Sequence, residues 1–479
     1  MNNGMIRFVL SWILRVEGLL MLLPCVIALI YGEQEGWIYL FLAVIVFVFG
    51  FLLSRRPAHM EIYQKEGFVA VGLSWILLSC TGAIPFVITK EIPNYLNALF
   101  EIVSGFTTTG ASILSDVEAL SHTSLFWRSF SHWIGGMGVL VFILMLLPMN
   151  SGGSHMNLMR AESPGPEVTK FVPRVRATAR LLYKIYLGLT VLELLLLLIT
   201  RMYWFDALCI TFGTAGTGGF GVLNSSCGSY TVIQQWIITV FMLAFGVNFS
   251  FYYLMIIRKP GEALKMEEVR TYLLIVLAAV GLIVWNISGS YDGMHHTIRD
   301  AAFQVASIIT TTGFSTTDFN TWPSLSRTIL LTLMMIGACA GSTGGGIKVS
   351  RVLVMVKEIK EEIRMLLHPR SIRKLRMDGH IVQDHTLRSI MAFLVAYFVL
   401  FWVSFMIISF DGFSIETNFS AVAATLNNIG PGLDAVGPVR NYLAYGAVSK
   451  VVLIFDMLAG RLELLPIFVL LYPGTWKRH

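Results

Sequence analysis

Charged residues are scarce in this sequence. Only 13% of its 479 residues are Asp, Glu, Lys or Arg, whereas 55% are hydrophobic and the mean hydropathy is +0.70. Because a soluble domain is roughly 25% charged, this composition excludes an ordinary soluble protein and predicts an all-α integral membrane protein. The net charge of +6 is then expected to reflect orientation in the membrane, and binding of nucleic acid is not expected.

Cysteine is also scarce, and sequence motifs of enzymes are missing. The cysteines are few and unevenly spaced, which argues against a disulfide framework or a metal site and predicts small buried side chains. No H-E-x-x-H or Walker A motif occurs. His132 and His155 are isolated, and His295 and His296 lie near Asp300 on the predicted outer side. An enzyme is therefore not expected. The cysteines are Cys25, Cys80, Cys209, Cys227 and Cys339.

Long apolar segments, in contrast, are abundant. A membrane-spanning helix needs about 20 mostly apolar residues, and ten segments qualify. They are 8–30, 37–54, 67–88, 125–148, 178–200, 232–257, 271–290, 325–355, 388–410 and 446–472. With the N-terminus in the cytoplasm, 27 of the 35 Lys and Arg residues fall on the cytoplasmic side, as the positive-inside rule requires. The sequence therefore predicts a multi-pass plasma-membrane protein with both termini cytoplasmic.

One short motif occurs twice at equivalent places. "GFTTTGAS" (105–112) and "IITTTGFS" (308–315) each lie between two predicted spans, and two further stretches, 210–221 and 424–433, occupy the same kind of position. Aligned on one glycine, the four stretches place Gly110, Gly218, Gly313 and Gly430 together. Each glycine follows a half-apolar segment that is too short to cross, as in a re-entrant helix.

The chain is therefore predicted to contain four repeats of helix, re-entrant helix, glycine turn and helix. The predicted units are two leading helices in 1–60 and the repeats 61–165, 166–265, 266–380 and 381–479, the third including a gating loop and a cytoplasmic loop. Non-helical backbone at membrane depth is tolerated where it lines a cavity. Four such turns around one axis would form rings of carbonyl oxygens, which replace the hydration shell of an alkali cation.

These motifs resemble those of the Trk/Ktr/HKT superfamily of potassium transporters. The resemblance rests on the four turns, on "GACAGSTGGGIKVSR" (337–351) and on "AGRLELLP" (459–466), and covers nearly the whole chain. The two leading spans suit the TrkH branch. The resemblance implies a gated, channel-like, pore-forming subunit for potassium uptake across the bacterial plasma membrane.

The resemblance also implies which residues form the selectivity filter that binds K+, the transported ion. Some sodium-permeable relatives have Ser at the first filter glycine, so Gly110 favours potassium. The second and fourth turns depart from Thr-Thr-Thr-Gly, and imperfect symmetry is therefore expected. The implied filter residues are Thr108, Thr109, Gly110, Gly216, Thr217, Gly218, Thr311, Thr312, Gly313, Asn428, Ile429 and Gly430.

Partners are implied only by the resemblance. It predicts a homodimer and a cytoplasmic ring of TrkA-like regulator-of-conductance (RCK) subunits. A nucleotide, ATP/ADP or NAD, is expected on that ring, and no cofactor is expected in this chain. A secondary transporter with inverted repeats is an alternative class, although four parallel repeats disfavour it. Coupling to H+ or Na+ and the ratio of K+ to Na+ permeation are open.

A gate is predicted where glycines interrupt the eighth span. Each glycine costs about 1 kcal/mol in a helix interior, so the helix is expected to unwind into a flexible constriction, with close packing of helices through small residues as the alternative. Arg461, inside the tenth span, is expected to point into the pore and repel cations; an ion pair with Asp456 or Glu463 is the alternative. The predicted gate comprises Gly341, Ser342, Thr343, Gly344, Gly345, Gly346 and Arg461.

Two neighbouring features have less specific interpretations. Lys348 is expected to mark the inner boundary of the membrane rather than the pore. The polar stretch 357–384 is predicted to form cytoplasmic amphipathic helices. These helices would be either a solvated surface at the lipid headgroups or a docking surface for a soluble partner.

Overall fold

The computed structural model describes residues 2–54, 63–138, 175–291, 293–369 and 375–477. Helices dominate these residues, which confirms the predicted all-α fold class. The strands in them are limited to the hairpin Arg376–Met377 and His380–Ile381, paired antiparallel with Arg376 opposite Ile381. The leading helices are Asn3–Leu20, Leu22–Tyr31 and Glu35–Leu53.

A long helix comes before each glycine turn, and a short buried helix then leads into it. The long helices are Gln64–Gly82 with Ile84–Ile88, Val175–Ile199, Glu267–Ile287 and Asp384–Ile408. The short helices are Tyr95–Phe106, Trp204–Gly216, Met294–Ile309 and Ile415–Leu426. We number these short helices 1 to 4, and the turns that follow them turns 1 to 4.

Side-chain caps define where two short helices begin. Asn94 accepts hydrogen bonds from the backbone N–H groups of Leu96 and Asn97, and Ser414 accepts one from Thr417. Such caps satisfy amide groups that have no partner within the helix. Together with short helices 2 and 3, these two helices occupy the four places where the sequence predicts a re-entrant segment.

The helices that follow the turns are all short or interrupted. They are His122–Gly136, Val232–Phe245 with Phe249–Ile256, Ser324–Ile336 with Val349–Leu367, and Ala447–Arg461 with Leu465–Leu471. The helices Val232–Phe245 and Phe249–Ile256 are bent by 91° relative to each other. The predicted span 446–472 is not continuous, because Glu463 and Leu464 adopt positive φ between its two helices.

The count of ten spans stays a prediction. Six helices of the described residues are long and apolar enough to cross a membrane, and the bent pair gives a seventh. Part of the predicted fourth span, 139–148, lies outside the described residues. So do Arg55, Arg56, His155 and the basic residues between 160 and 174.

Two expectations about smaller features need correction. Residues 376–381 form the hairpin rather than an amphipathic helix, because Asp378 and Gly379 both adopt positive φ and turn the chain. All five cysteines are free, as expected, but only three are buried, and Cys25 and Cys80 are partly exposed.

The remaining elements are short connections. They are the helices Pro260–Ala263 and Pro473–Trp476 and the 3-10 turns Ser288–Ser290, Phe319–Thr321, Ser409–Asp411 and Asp434–Val436.

Candidate functional site

The four short helices end in the same backbone geometry. In each turn one residue adopts the left-handed conformation, with φ between 55° and 59°. The next residue then donates a hydrogen bond back across the last helical turn, as in a Schellman motif. The left-handed residues are Thr108, Thr217, Thr311 and Asn428. The bonds run from Thr109 N to Ser104 O, Gly218 N to Gly213 O, Thr312 N to Ser307 O and Ile429 N to Ala424 O, each of 2.8 Å.

The four turns meet in one closed ring. Each turn contains a glycine with φ between 78° and 96°, and a β-carbon added there would overlap a carbonyl oxygen of another turn. The contacts are Gly110 with the oxygen of Gly218, Gly219 with that of Thr312, Gly313 with that of Ile429, and Gly430 with that of Thr109. The last contact returns to turn 1, so glycines and carbonyl groups alternate around the ring.

This geometry corrects the alignment of turn 2 by one residue. Gly219, not Gly218, has the positive φ of 81° and the contact to the next turn. Gly218 instead corresponds to Thr109, because both donate the bond that closes the helix end. The sequence Gly-Thr-Gly-Gly (216–219) is compatible with either alignment, because positions 218 and 219 are both glycine. Gly216, which the resemblance included, is the last residue of short helix 2.

A cavity opens directly on one side of the ring. It has a volume of about 180 Å³ and is lined by all four ring glycines, Gly110, Gly219, Gly313 and Gly430, together with residues that follow each turn. Among the latter are Ser112, Ser315 and the chain from Pro438 to Tyr442. Tyr442 donates a hydrogen bond of 2.7 Å from its hydroxyl to the carbonyl oxygen of Gly430. The ring therefore forms the floor of a vestibule.

A buried ion pair supports turns 1 and 2. Glu101 and Arg128 are 0% and 3% exposed, and Oε1 of the glutamate lies 2.6 Å from Nε of the arginine. Glu101 also accepts hydrogen bonds from Ser112 and from the N–H of Ile113, while Arg128 donates to the carbonyl oxygen of Gly221. A buried charge is tolerated when it is paired and hydrogen-bonded. This pair ties the chain after turn 1 to the chain after turn 2.

The predicted break in the eighth span is present. The helix that begins at Ser324 ends at Ile336, and residues 337–348, which we call the 337–348 loop, are non-helical up to Val349. Gly341 and Gly346 adopt positive φ. The loop therefore interrupts the helix as the glycine content predicts.

The 337–348 loop packs against the ends of short helices 3 and 4. The N–H of Gly345 donates a 2.7 Å hydrogen bond to Oγ1 of Thr311. A β-carbon on Gly344 would crowd the carbonyl oxygen of Thr310, and one on Gly345 would overlap that of Asn427. Close packing through small residues thus accompanies the break. The residues that contact the loop, Thr310, Thr311 and Asn427, come before the ring carbonyl groups in the sequence. The residues that line the vestibule come after those carbonyl groups.

Glu268 fastens both ends of the loop. This carboxylate is 2% exposed, and its Oε1 accepts hydrogen bonds from the N–H of Ala340 at 2.6 Å and of Ser350 at 3.1 Å. The backbone of the loop also bonds to the helix Phe249–Ile256, since the N–H of Phe249 donates to the carbonyl oxygen of Gly341. The loop is consequently held from several elements.

Arg461 connects the loop to the end of the helix His122–Gly136. Its guanidinium donates to the carbonyl oxygen of Thr343 at 2.9 Å, to that of Gly136 at 2.8 Å and to that of Gly135. The two proposed ion-pair partners have other contacts. Glu463 pairs with Arg351, and Asp456 accepts a hydrogen bond from Ser404.

Lys348 is buried at the end of the loop. Its side chain is 9% exposed and donates a 2.5 Å hydrogen bond to the carbonyl oxygen of Gly344. It is therefore part of the internal structure of the loop.

Charged residues also lie near the vestibule. Asp318, Asp434 and Arg440 line a second open cavity, and Arg440 lines the vestibule too. Hydrogen bonds from the hydroxyls of Ser414 and Thr417 hold the pKa of the Asp434 carboxyl below its usual range. The carboxylate therefore stays ionised at neutral pH.

Several residues of the site are missing from the sequence-based prediction. Glu101, Arg128, His132, Glu268 and Tyr442 all contact the turns or the loop. A signal existed for Arg128 and His132, because an ionisable residue within a predicted span is a functional candidate, as argued for Arg461. The contacts of Glu101, Glu268 and Tyr442 join separate elements of the structure, and no local pattern reveals them.

Comparison with known proteins agrees with this architecture. The family model TrkH, described as "Cation transport protein", matches residues 37–474. The "Trk system potassium uptake protein TrkH" of Salmonella typhimurium is 36% identical, over 97% of this chain and 99% of that protein. TrkG of Escherichia coli is 33% identical over the full length of both. The crystal structure of the potassium transporter TrkH from Vibrio parahaemolyticus matches all of both chains with a TM-score of 0.89 and 31% identity. The chain therefore belongs to the TrkH family of cation transport proteins, which are transporters and not enzymes.

Proposed function

We propose that this chain is the pore-forming subunit of a potassium uptake system in the bacterial plasma membrane. The observation that carries the proposal is the closed ring of four turns beneath the vestibule. The relatives reported above are named potassium uptake proteins, and rings of backbone carbonyl groups are the ligands that replace water around K+.

In this proposal the ring is the selectivity filter. The carbonyl groups in the ring are those of Thr109, Gly218, Thr312 and Ile429, and the left-handed residues Thr108, Thr217, Thr311 and Asn428 precede them. The short helices all direct their C-terminal ends to the ring, and these ends carry partial negative charge, which favours a cation. The filter includes Gly219 in place of Gly216.

The gate in this proposal is the 337–348 loop together with Arg461. The loop lies on the side of the turns opposite the vestibule, so an ion that has passed the ring meets it next. Arg461 supports this role because its positive charge and its hydrogen bond to Thr343 both oppose passage while the loop is in place. The hydrogen bond of Thr311 to the loop couples filter and gate directly.

The wider assembly follows from family membership. We propose ten spans in four repeats after two leading helices, with the boundaries given above, and both termini in the cytoplasm. We propose a homodimer and a cytoplasmic TrkA-like ring that binds the regulating nucleotide. The exposed apolar side chains and the basic cytoplasmic segments of the sequence support a membrane location.

The test is ion flux into liposomes that hold the purified protein. Uptake of K+ or Rb+ is measured with Na+ as competitor, for the wild type, Gly110→Ser and the control Gly188→Ser. A β-carbon at Gly110 overlaps the Gly218 carbonyl, whereas one at Gly188 meets nothing within 4 Å. Overpacking of this kind costs about 1–3 kcal/mol, so Gly110→Ser is expected to lower the preference for K+ over Na+ roughly 5-fold to 150-fold.

The outcomes separate the parts of the proposal. Gly188→Ser is expected to behave as the wild type. Cation flux with no preference between K+ and Na+ in the wild type would contradict a potassium filter. No cation flux even with Arg461→Ala and a cytoplasmic ring supplied would contradict the pore itself.

A further inference from the structure

Turn 2 lacks the side chains that fix turns 1 and 3. In turn 1 the hydroxyls of Thr107 and Thr109 lie 2.8 Å apart, and Thr107 donates to the carbonyl oxygen of Val103. Turn 3 has the same arrangement, with Thr310 and Thr312 separated by 2.7 Å. The equivalent residues of turn 2 are Gly216 and Gly218, which have no side chains.

The backbone of Gly218 does not require glycine. Its φ is not in the left-handed region, unlike that of Gly219. The space for its side chain is instead filled by His132, because a β-carbon on Gly218 would overlap three atoms of the imidazole ring. His132 belongs to the helix His122–Gly136 of the first repeat and is 0% exposed.

Both ring nitrogens of His132 bind backbone groups that flank turns 1 and 2. Nδ1 lies 2.8 Å from the carbonyl oxygen of Gly105 at the end of short helix 1. Nε2 lies 3.3 Å from the backbone nitrogen of Phe220, the residue after Gly219. A carbonyl can only accept and an amide N–H can only donate. The imidazole is therefore neutral, with its proton on Nδ1, and it joins turns 1 and 2.

Methionine occupies the corresponding place in two other repeats. Gly136 and Gly246 have matching surroundings: each lies against a tyrosine hydroxyl and against an equivalent turn residue, Gly216 or Thr310. His132 and Met242 each precede these glycines by four residues and are therefore equivalent. A β-carbon on Gly135 would overlap the last carbonyl oxygen of short helix 1, and one on Gly460 would overlap that of short helix 4. His132 and Met457 each precede these glycines by three residues and are therefore equivalent. Methionine cannot donate a hydrogen bond, so neither Met242 nor Met457 can form the bridge that His132 forms.

We propose that His132 is a specificity-determining positioning residue for the selectivity filter. Its imidazole replaces the pair of threonine hydroxyls that turn 2 lacks and holds the Gly218 carbonyl in the ring. The inference rests on the proposed function, since it assigns the ring to ion selection. It explains why turn 2 reads Gly-Thr-Gly-Gly where turns 1 and 3 read Thr-Thr-Thr-Gly.

Two conservative substitutions separate the two hydrogen bonds. The amide of His132→Gln reaches the Nε2 position and can accept from Phe220, whereas that of His132→Asn reaches only the Nδ1 position and can donate to Gly105. The ratio of K+ to Na+ permeability is measured in liposomes at equal amounts of folded protein. The Asn variant loses the bond to Phe220, and its permeability ratio is expected to fall about 5-fold, the factor that one buried hydrogen bond represents. The Gln variant keeps that bond, and its ratio is expected to stay within about 2-fold of the wild type.

A double substitution tests the space-filling part. His132→Ala and Gly218→Thr are each expected to lower the ratio about 5-fold or more, and their combination is expected to recover most of it, because the threonine then occupies the vacated space. The matched control is His132→Ala with Gly216→Ala. A β-carbon on Gly216 overlaps the backbone oxygen of His132, which the alanine retains, so no recovery is expected there.

The outcomes distinguish this inference from the proposed function. A wild type that conducts K+ selectively, with an unchanged ratio in the Asn variant or no recovery in the His132→Ala, Gly218→Thr protein, would overturn the role of His132 alone. Equal recovery in the Gly216→Ala control would do the same. A wild type that does not select K+ would overturn the proposed function and this inference with it.

Discussion

Removing the Arg461 side chain is expected to raise ion flux through the resting protein. The guanidinium donates to Thr343 of the loop and to Gly135 and Gly136 at the end of the helix His122–Gly136. A hydrogen bond from a charged donor contributes about 1.5–3 kcal/mol. The bond to Thr343 joins the arginine to the loop, so its loss corresponds to roughly a 10-fold to 150-fold shift toward a displaced loop.

The positive charge adds a second, separable contribution. A cation in the pore is repelled by the guanidinium, and this repulsion persists if only the hydrogen bonds are changed. Arg461→Lys keeps the charge but replaces the rigid planar fork by a compact ammonium on a flexible stem, which does not reproduce the geometry of the three hydrogen bonds. Arg461→Gln keeps a hydrogen-bond donor and removes the charge. Basal flux is expected to be highest in Arg461→Ala, lower in Arg461→Gln, lower again in Arg461→Lys and lowest in the wild type.

The assay is Rb+ uptake into liposomes without any cytoplasmic partner. Each variant is compared at equal protein per vesicle, with thermal unfolding in detergent as the check on folding. Basal flux of Arg461→Ala equal to that of the wild type would refute the reasoning. A Lys variant equal to the wild type would assign the barrier to charge alone, and a Lys variant equal to Ala would assign it to the hydrogen bonds.

Two further substitutions test the supports of loop and filter. Glu268→Gln weakens the acceptor that holds the N–H of Ala340, so the rate of amide hydrogen exchange in the loop is expected to rise about 10-fold. The control is Glu267→Gln, at the partly exposed neighbouring residue. Equal exchange rates in the two variants would contradict the role of Glu268. Tyr442→Phe removes the hydroxyl that donates to Gly430 and is expected to lower the permeability ratio of K+ to Na+ about 5-fold; an unchanged ratio would show that the hydroxyl is dispensable.

Local patterns in the sequence predict much of this architecture. The short helices, the turns at Gly110, Gly313 and Gly430 and the break in the 337–348 loop all follow from apolar length and glycine content. Each of these signals lies within about ten residues of the feature it predicts, so no knowledge of the tertiary structure is needed to interpret it.

The features that escape prediction depend on partners far along the chain. The register of turn 2 is ambiguous in Gly-Thr-Gly-Gly, and it is resolved only by the contact of Gly219 with Thr312. His132 looks isolated in the sequence, yet it lies against Gly218 and donates to Gly105. Spacing along the chain carries no information about either contact.

The threonines of the turns indicate what the ring requires beyond backbone shape. Thr108, Thr217 and Thr311 adopt the left-handed conformation, which costs a residue other than glycine about 1–2 kcal/mol, and a β-branched residue is an outlier there. Glycine would remove this cost, so the side chains need another reason to be present. In turn 3 the Thr311 hydroxyl accepts from Gly345. In turn 1 the Thr108 hydroxyl is buried and makes no hydrogen bond within the described part of the chain. In the proposed filter, a hydroxyl at the ring would be a ligand for a dehydrated cation, and that role would offset the backbone strain.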